Sequence, residues 1–175
     1  METAILAGGC FWCTEAVFQQ LQGVQEVVSG YTGGTIKNPA YREICTGRTG
    51  HAEAVKITYD PAIVSFVELL EVFFATHNPT TLNQQGNDKG TQYRSEIFFT
   101  TDRQKEEAEQ FIALLTEKEI FEDKIVTQIS PEHPFYVAEE EHQDYYKDHG
   151  TQPYCQIIIS PKIKKLHQYF SHKLK

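Results

Sequence analysis

The chain has 175 residues, 40% of them hydrophobic, enough for one well-buried core and too few for two. A formal net charge of −8 argues against nucleic acid or an anionic membrane as a main partner. No stretch approaches the roughly 20 apolar residues that span a bilayer, and no signal peptide is read at the N-terminus. Four scattered cysteines, Cys10, Cys13, Cys45 and Cys155, are too few for a secreted disulfide scaffold, so a reducing, cytoplasmic location is expected.

The apolar run Ala4-Ile5-Leu6-Ala7 reads as a short buried strand and leads into Gly8-Gly9-Cys10-Phe11-Trp12-Cys13. Beyond it, Ala16, Val17 and Leu21 recur at helical spacing within residues 14–21. Cys10 therefore falls at a glycine-flexed strand-to-helix turn. Unpaired amides and the positive end of the helix dipole are expected there to lower its thiol pKa and raise its nucleophilicity. The single tryptophan, Trp12, beside Phe11, adds an apolar wall suited to a small greasy group. Residues 54–59 alternate as a strand with Val55, Ile57 and Tyr59 on one face, and Asp60-Pro61 breaks it. Ser65-Phe66-Val67-Glu68 is a capping box for a helix to about Thr76, with Phe66, Leu69, Leu70 and Phe73 on its buried side. His77-Asn78-Pro79 stops that helix, and residues 80–91 read as a long polar loop, of the kind that often carries function. A strand over 96–100 precedes a second capping box, Thr101-Asp102-Arg103-Gln104, which opens a helix with Ala108, Phe111, Ile112 and Leu115 in register. Residues 125–129 alternate as a further strand, and Ser160-Pro161 supplies a cap and first-turn proline for a last helix whose lysines, from Lys162 to Lys175, lie on a solvated face. The expected fold is α+β, a single-domain two-layer sandwich of ferredoxin-like type over 1–175, with 145–175 as a mobile C-terminal segment. Periodicity alone leaves the strand order open.

Several strings in order resemble the A-type peptide methionine sulfoxide reductases. They are Gly9-Cys10-Phe11-Trp12, Gly30-Tyr31-Thr32-Gly33-Gly34, Asn38-Pro39-Ala40-Tyr41, Thr49-Gly50-His51-Ala52-Glu53-Ala54-Val55, Gly86-Asn87-Asp88-Lys89-Gly90-Thr91-Gln92-Tyr93-Arg94-Ser95, Pro134-Phe135-Tyr136-Val137-Ala138-Glu139 and His142-Gln143. The resemblance runs from residue 4 to about 156 and implies an enzyme that reduces methionine S-sulfoxide, free or in proteins. It makes Cys10 the nucleophile that attacks the sulfoxide sulfur and is left as a sulfenic acid. Glu53 becomes the proton donor, a role that needs a carboxyl kept neutral near pH 7 by burial. Tyr41 and Tyr93 would hydrogen-bond the sulfoxide oxygen, Phe11 and Trp12 would cage the methyl group, and Asp88 would support the site from its loop. Cys155, in Gln152-Pro153-Tyr154-Cys155, matches the recycling cysteine, with Tyr154 matching an aromatic beside it. Thioredoxin would then reduce the Cys10–Cys155 disulfide. Cys13 is the rival recycling thiol, since Cys10-x-x-Cys13 is itself a dithiol spacing. The resemblance implies no cofactor, and a monomer is expected.

The residues also carry plainer readings. Cys45, between polar turn residues, is expected to be a buried small hydrophobe. His51 reads as a hydrogen-bonding prop, Glu139-Glu140-Glu141 as a solvated helix start, and Asn78 stands where an aspartate is expected before the proline. Zinc is not expected, because His51, His142, Cys10 and Cys13 fit no compact ligand spacing. Two other function classes remain open: a general dithiol–disulfide oxidoreductase using Cys10 and Cys13, and a redox sensor that oxidises once without cycling.

Overall fold

In the computed structural model, which describes residues 1–175, strand β1 (Glu2–Gly8) runs up the middle of a sheet and delivers the chain through Gly9 into helix α1 (Phe11–Phe18). Gly9 has φ of +96°, and a Cβ there would lie 2.6 Å from the Gln85 side chain, so the turn needs glycine twice over. The helix starts at Phe11, three residues earlier than the apolar spacing predicts, because Cys10 itself takes the N-cap place.

Strand β2 (Val24–Thr32) follows, then the short helix α2 (Tyr41–Ile44), strand β3 (Ala52–Tyr59) and helix α3 (Phe66–Thr76). Periodicity did not announce β2; Gln25 and Glu26 interrupt its alternation, and a bulge between Val24 and Glu26 absorbs the irregularity. Helix α3 has the expected capping box with both bonds made: the Glu68 amide to Ser65 Oγ (3.1 Å) and the Ser65 amide to Glu68 Oε1 (3.2 Å). The polar stretch 80–91 is not wholly a loop. It contains a hairpin of β4 (Gln84–Gln85) and β5 (Asp88–Lys89), which fixes the position of Asp88. Strand β6 (Ser95–Phe99) leads to helix α4 (Asp102–Glu117), whose cap is Thr101 Oγ1; the return bond from Gln104 goes to the Thr100 amide instead of closing a box. Strand β7 (Gln128–Pro131) lies a few residues later than the run read at 125–129, and β8 (Tyr136–Val137) is a two-residue edge.

The six-stranded sheet has the order β7-β6-β1-β3-β2-β8, with β6–β7 parallel and the other pairs antiparallel. The result is a single α+β domain with the main core between the sheet and its helices. Strand alternation sorts the residues: Ala4, Leu6, Val55, Ile57 and Tyr59 join Phe18, Leu69 and Phe73 in that core, while Ile5, Ala7, Ala52, Ala54 and Phe98 form a smaller cluster on the opposite face. Glu53 shares the parity of Val55 and so points into the helix side.

The C-terminal stretch departs most from expectation. After helix α5 (Tyr145–His149), residues 155–159 form a π-turn that runs straight into helix α6 (Ser160–Tyr169). Ser160 is therefore not a cap; Ile159 before it is already helical, and the Ser160 hydroxyl pairs with Tyr146 Oη at 2.8 Å. The terminal lysines are not all solvated either. Lys173 Nζ lies 2.6 Å from Glu68 Oε2, and the Lys175 amide donates to Gln20 O, tying the tail to the turn after α1. No helix is long and apolar enough to cross a membrane.

Candidate active site

Cys10, Cys13 and Cys155 come together in one buried cluster with Ala16 and Ile159, and Trp12, Tyr93, Tyr145 and Tyr154 pack around it. All three thiols are free and nearly inaccessible: 8% exposed for Cys10, 3% for Cys13 and 0% for Cys155. A cavity of about 660 Å³ opens beside Cys10 and Cys13, bordered by Asp88, Tyr154, Ile158 and Lys162.

Glu53 reaches up from β3 beneath the first turn of α1, where the Phe11 amide donates to its Oε1 at 3.1 Å. It uses one of the free amides of the helix N-terminus. The carboxyl is 1% exposed, and this burial pushes its pKa up to about 8, outweighing the Phe11 bond. The carboxyl therefore holds its proton through pH 7 for the most part.

The thiols reverse the expectation for Cys10. Its pKa lies well above the ordinary value, because burial outweighs the helix end; the hydrogen bond with Cys13 and the charge of Glu53 add to the rise, and the Trp12 amide only partly offsets it. Cys13 is instead lowered to about 7, by the hydrogen bond from Cys10 first and then by the Lys162 charge and the Tyr154 hydroxyl. Of the two, Cys13 is the more readily ionised thiol. Burial also raises Cys155.

Tyr41 and Tyr93 lie close enough to Glu53 for its charge to raise both phenols, on top of a larger rise from burial, so both stay protonated donors. Asp88 belongs to the hairpin and accepts the Tyr154 hydroxyl at 2.9 Å; the same hydroxyl lies 3.7 Å from Cys13 Sγ. Trp12 donates Nε1–H to His142 Nδ1 at 3.1 Å and lies flat against Tyr145, 3.7 Å between ring centres and 5° between planes. The Phe11 ring is 1% exposed and packs between Tyr31 and His142, each 5.6 Å away. Cys10, Cys13, Cys155, Trp12, Tyr93 and Tyr154 thus pack in one cluster, Glu53, Phe11 and Asp88 bond into it or beside it, and Tyr41 adjoins it with Cys45 at its side. That cysteine is exposed, not buried, because it ends α2 at the surface.

Three positioning groups were not assigned roles from the sequence. Glu139 is no merely solvated acid: it accepts the Tyr31 hydroxyl (2.9 Å) and the Tyr41 amide (3.0 Å). His142 joins Trp12 to Tyr41, whose ring lies 4.4 Å away. Glu15 is 1% exposed on α1 and accepts from Ser29 Oγ and from the amides of Asp144 and Tyr145. One signal was available for Glu15, which falls in the stripe Phe11-x-x-x-Glu15-x-x-Phe18, where an apolar residue would be expected. His51 is the prop expected of it, its Nδ1 accepting from the Gly34 amide at 3.0 Å. Glu139, Glu141 and His142 are the set whose ligand atoms lie within 4.8 Å of one another, but Glu139 and His142 Nδ1 already accept hydrogen bonds.

The family model described as peptide methionine sulfoxide reductase matches residues 2–174. The chain is 56% identical over 174 residues to the peptide methionine sulfoxide reductase MsrA of Deinococcus radiodurans, covering 99% of this chain and 84% of that protein. Among solved structures it is similar to Mxr1 of Saccharomyces cerevisiae in reduced form, with TM-score 0.82 and 34% identity over 88% of each chain. Mxr1 in complex with Trx2 is similar at TM-score 0.58 and 26% identity, covering 82% of this chain and 84% of that one.

Proposed function

The chain belongs to the peptide methionine sulfoxide reductase family and is an enzyme of that class; from this premise we propose that Cys10 reduces methionine S-sulfoxide, free or protein-bound, and is recycled through Cys155 and thioredoxin. The observation that carries the chemistry is the neutral Glu53 carboxyl fixed under the α1 N-terminus, next to Cys10. A sulfoxide oxygen leaves poorly until protonated. Glu53 gives it that proton while the phenols of Tyr41 and Tyr93 hydrogen-bond it, and Asp88 supports the site from its hairpin. The Cys10 sulfur attacks the electrophilic sulfur, with Phe11 and Trp12 walling the methyl group, and the thiol proton restores the Glu53 carboxyl. The protonated oxygen passes to the Cys10 sulfur as the sulfoxide S–O bond and the transient S–S link break. Methionine leaves, reduced by two electrons, and Cys10 is oxidised by two to a sulfenic acid.

Cys155 then attacks the Cys10 sulfur: an S–S bond forms, the S–O bond breaks, and the oxygen departs as water. Its place in the thiol cluster beside Tyr154 supports this assignment. Burial of all three thiols supports a C-terminal segment, 145–175, that moves during the cycle within one catalytic domain over 1–175. Thioredoxin as reductant is supported by the Mxr1 neighbour solved in complex with Trx2. The order β6-β1-β3-β2, connected through α1 and α3, supports a ferredoxin-like core. A cytoplasmic location suits the unpaired cysteines. The second reading, recycling through Cys13, is favoured by its hydrogen bond to Cys10 and its pKa of about 7.

A peptide carrying each sulfoxide epimer, incubated with the chain, thioredoxin and its reductase, tests the function. Consumption of the S epimer with the R epimer left intact is expected. Survival of both epimers would overturn it.

A further inference from the structure

Glu15 takes no part in the chemistry above, yet it is a buried carboxyl on the helix that carries Cys10. Burying such a group costs several kcal/mol unless it is well hydrogen-bonded, and an apolar residue would fill the stripe between Phe11 and Phe18 without that cost. Its partners show what it holds. Ser29 Oγ (3.3 Å) ties it to β2, and the amides of Asp144 (3.1 Å) and Tyr145 (3.3 Å) tie it to the start of the C-terminal segment. Those two amides open α5, whose N-cap residue, Asp144, lies in the left-handed region (φ +53°) and makes no side-chain cap bond of its own.

Tyr145 passes the constraint onward. Its ring is sandwiched between Trp12 on one side (3.7 Å, 5°) and His149 on the other (4.3 Å, 17°). Its hydroxyl donates to Gln152 Oε1 at 2.6 Å, and Gln152 O accepts the amide of Gln156, the neighbour of Cys155. A continuous set of bonds thus runs from the Cys10 helix through Glu15 and Tyr145 to the π-turn that presents Cys155.

We propose that Glu15 is a positioning residue for recycling: by holding the Asp144–Tyr145 backbone it keeps Tyr145 against Trp12 and Cys155 in reach of the Cys10 sulfenic acid. The inference rests on Cys155 as the recycling thiol. Misplacing a reacting group by about 1 Å can cost on the order of 100-fold, so a loosened segment slows S–S formation and spares the step before it.

The test is a single-turnover experiment on Glu15→Gln, and on Tyr145→Phe, which keeps the ring against Trp12 and the buried carboxyl in place but loses the Gln152 bond. Excess methyl sulfoxide is added without reductant; methionine, disulfides and sulfenic acid captured by a 1,3-dione are followed by mass spectrometry. In the variants, the first equivalent of methionine is expected at the unsubstituted rate or faster. The Cys10–Cys155 bond should appear about 10-fold or more slowly, with labelled Cys10 accumulating. A merely structural role would lower both steps together, and that result overturns the proposal. So does a Cys10–Cys155 bond that forms equally fast in variant and unsubstituted chains. A Cys10–Cys13 bond in the unsubstituted chain would overturn the Cys155 assignment, and this inference with it.

Discussion

Phe11 and Glu53 stand on a helix and a strand that pack against the main core, joined by a buried hydrogen bond, with Cys10 at the N-cap of that helix. Cys155 is equally buried but stands on a π-turn held by aromatic stacking and a handful of polar anchors: Glu15, Tyr145, and the Tyr154–Asp88 bond. The first region fixes reacting groups by packing, where displacement would tear the core. The second fixes its thiol through ring stacking and side-chain hydrogen bonds outside the sheet, contacts that the proposed cycle requires to be remade. That difference suits a cycle in which one sulfur meets the substrate and another must reach it and then be delivered to an outside reductant. Native-state hydrogen exchange should separate the two, with amides of β1 and β3 protected well beyond those of residues 145–159.

Substitutions sharpen the contrast, and the largest effects belong to the core-built half. Cys10→Ser removes the nucleophile and should cut sulfoxide reduction by at least about 10⁴-fold, with the fold intact by circular dichroism. Glu53→Gln keeps an acceptor for the Phe11 amide but cannot donate the acid proton, so the first turnover should slow by about 10²–10⁴-fold. The same substitution should show a stability signature. With its pKa raised to about 8 in the fold from 4.5, Glu53 keeps its proton when the unfolded chain has lost it, so the native state loses stability as pH rises between those values. Glu53→Gln should therefore unfold at a higher temperature than the unsubstituted chain at pH 8, with the advantage fading toward pH 4.5. For the unsubstituted enzyme, the rate of the first step should fall as pH climbs through about 8 and the acid ionises.

In the other half the losses are selective. Cys155→Ser should still release one equivalent of methionine but lose most thioredoxin-coupled turnover, measured by NADPH consumption in the coupled assay. Smallest of all, Ser65→Ala removes a cap from α3, away from both regions. It should cost about 1 kcal/mol and lower the melting temperature by about 2–4 °C, with turnover unchanged.

Much of the first region was legible. Glycines before Cys10, an apolar strand ahead of it and the parity of Glu53 with Val55 and Ile57 each follow from local pattern. The capping of α3 follows from Ser65 and Glu68 alone. Where local rules misled, a long-range contact prevailed. The helix end should favour a Cys10 thiolate, but burial by the C-terminal segment and the Cys13 hydrogen bond oppose it. Ser160-Pro161 has the form of a helix start, but the π-turn before it already runs helical. Glu139, His142 and Glu15 bond to partners about 100 residues or more away along the chain in all but one of their contacts here, Glu15 with Ser29, and no window of sequence contains such pairs. Cys45 shows the converse: a residue type that usually buries is exposed because its short helix ends at the surface.

The most direct measurement is intact-mass and disulfide mapping of the unsubstituted chain after one turnover with excess methyl sulfoxide and no reductant. One methionine per chain with a Cys10–Cys155 bond is the expected result. Absence of methionine with Cys10 unmodified would contradict the account at its centre.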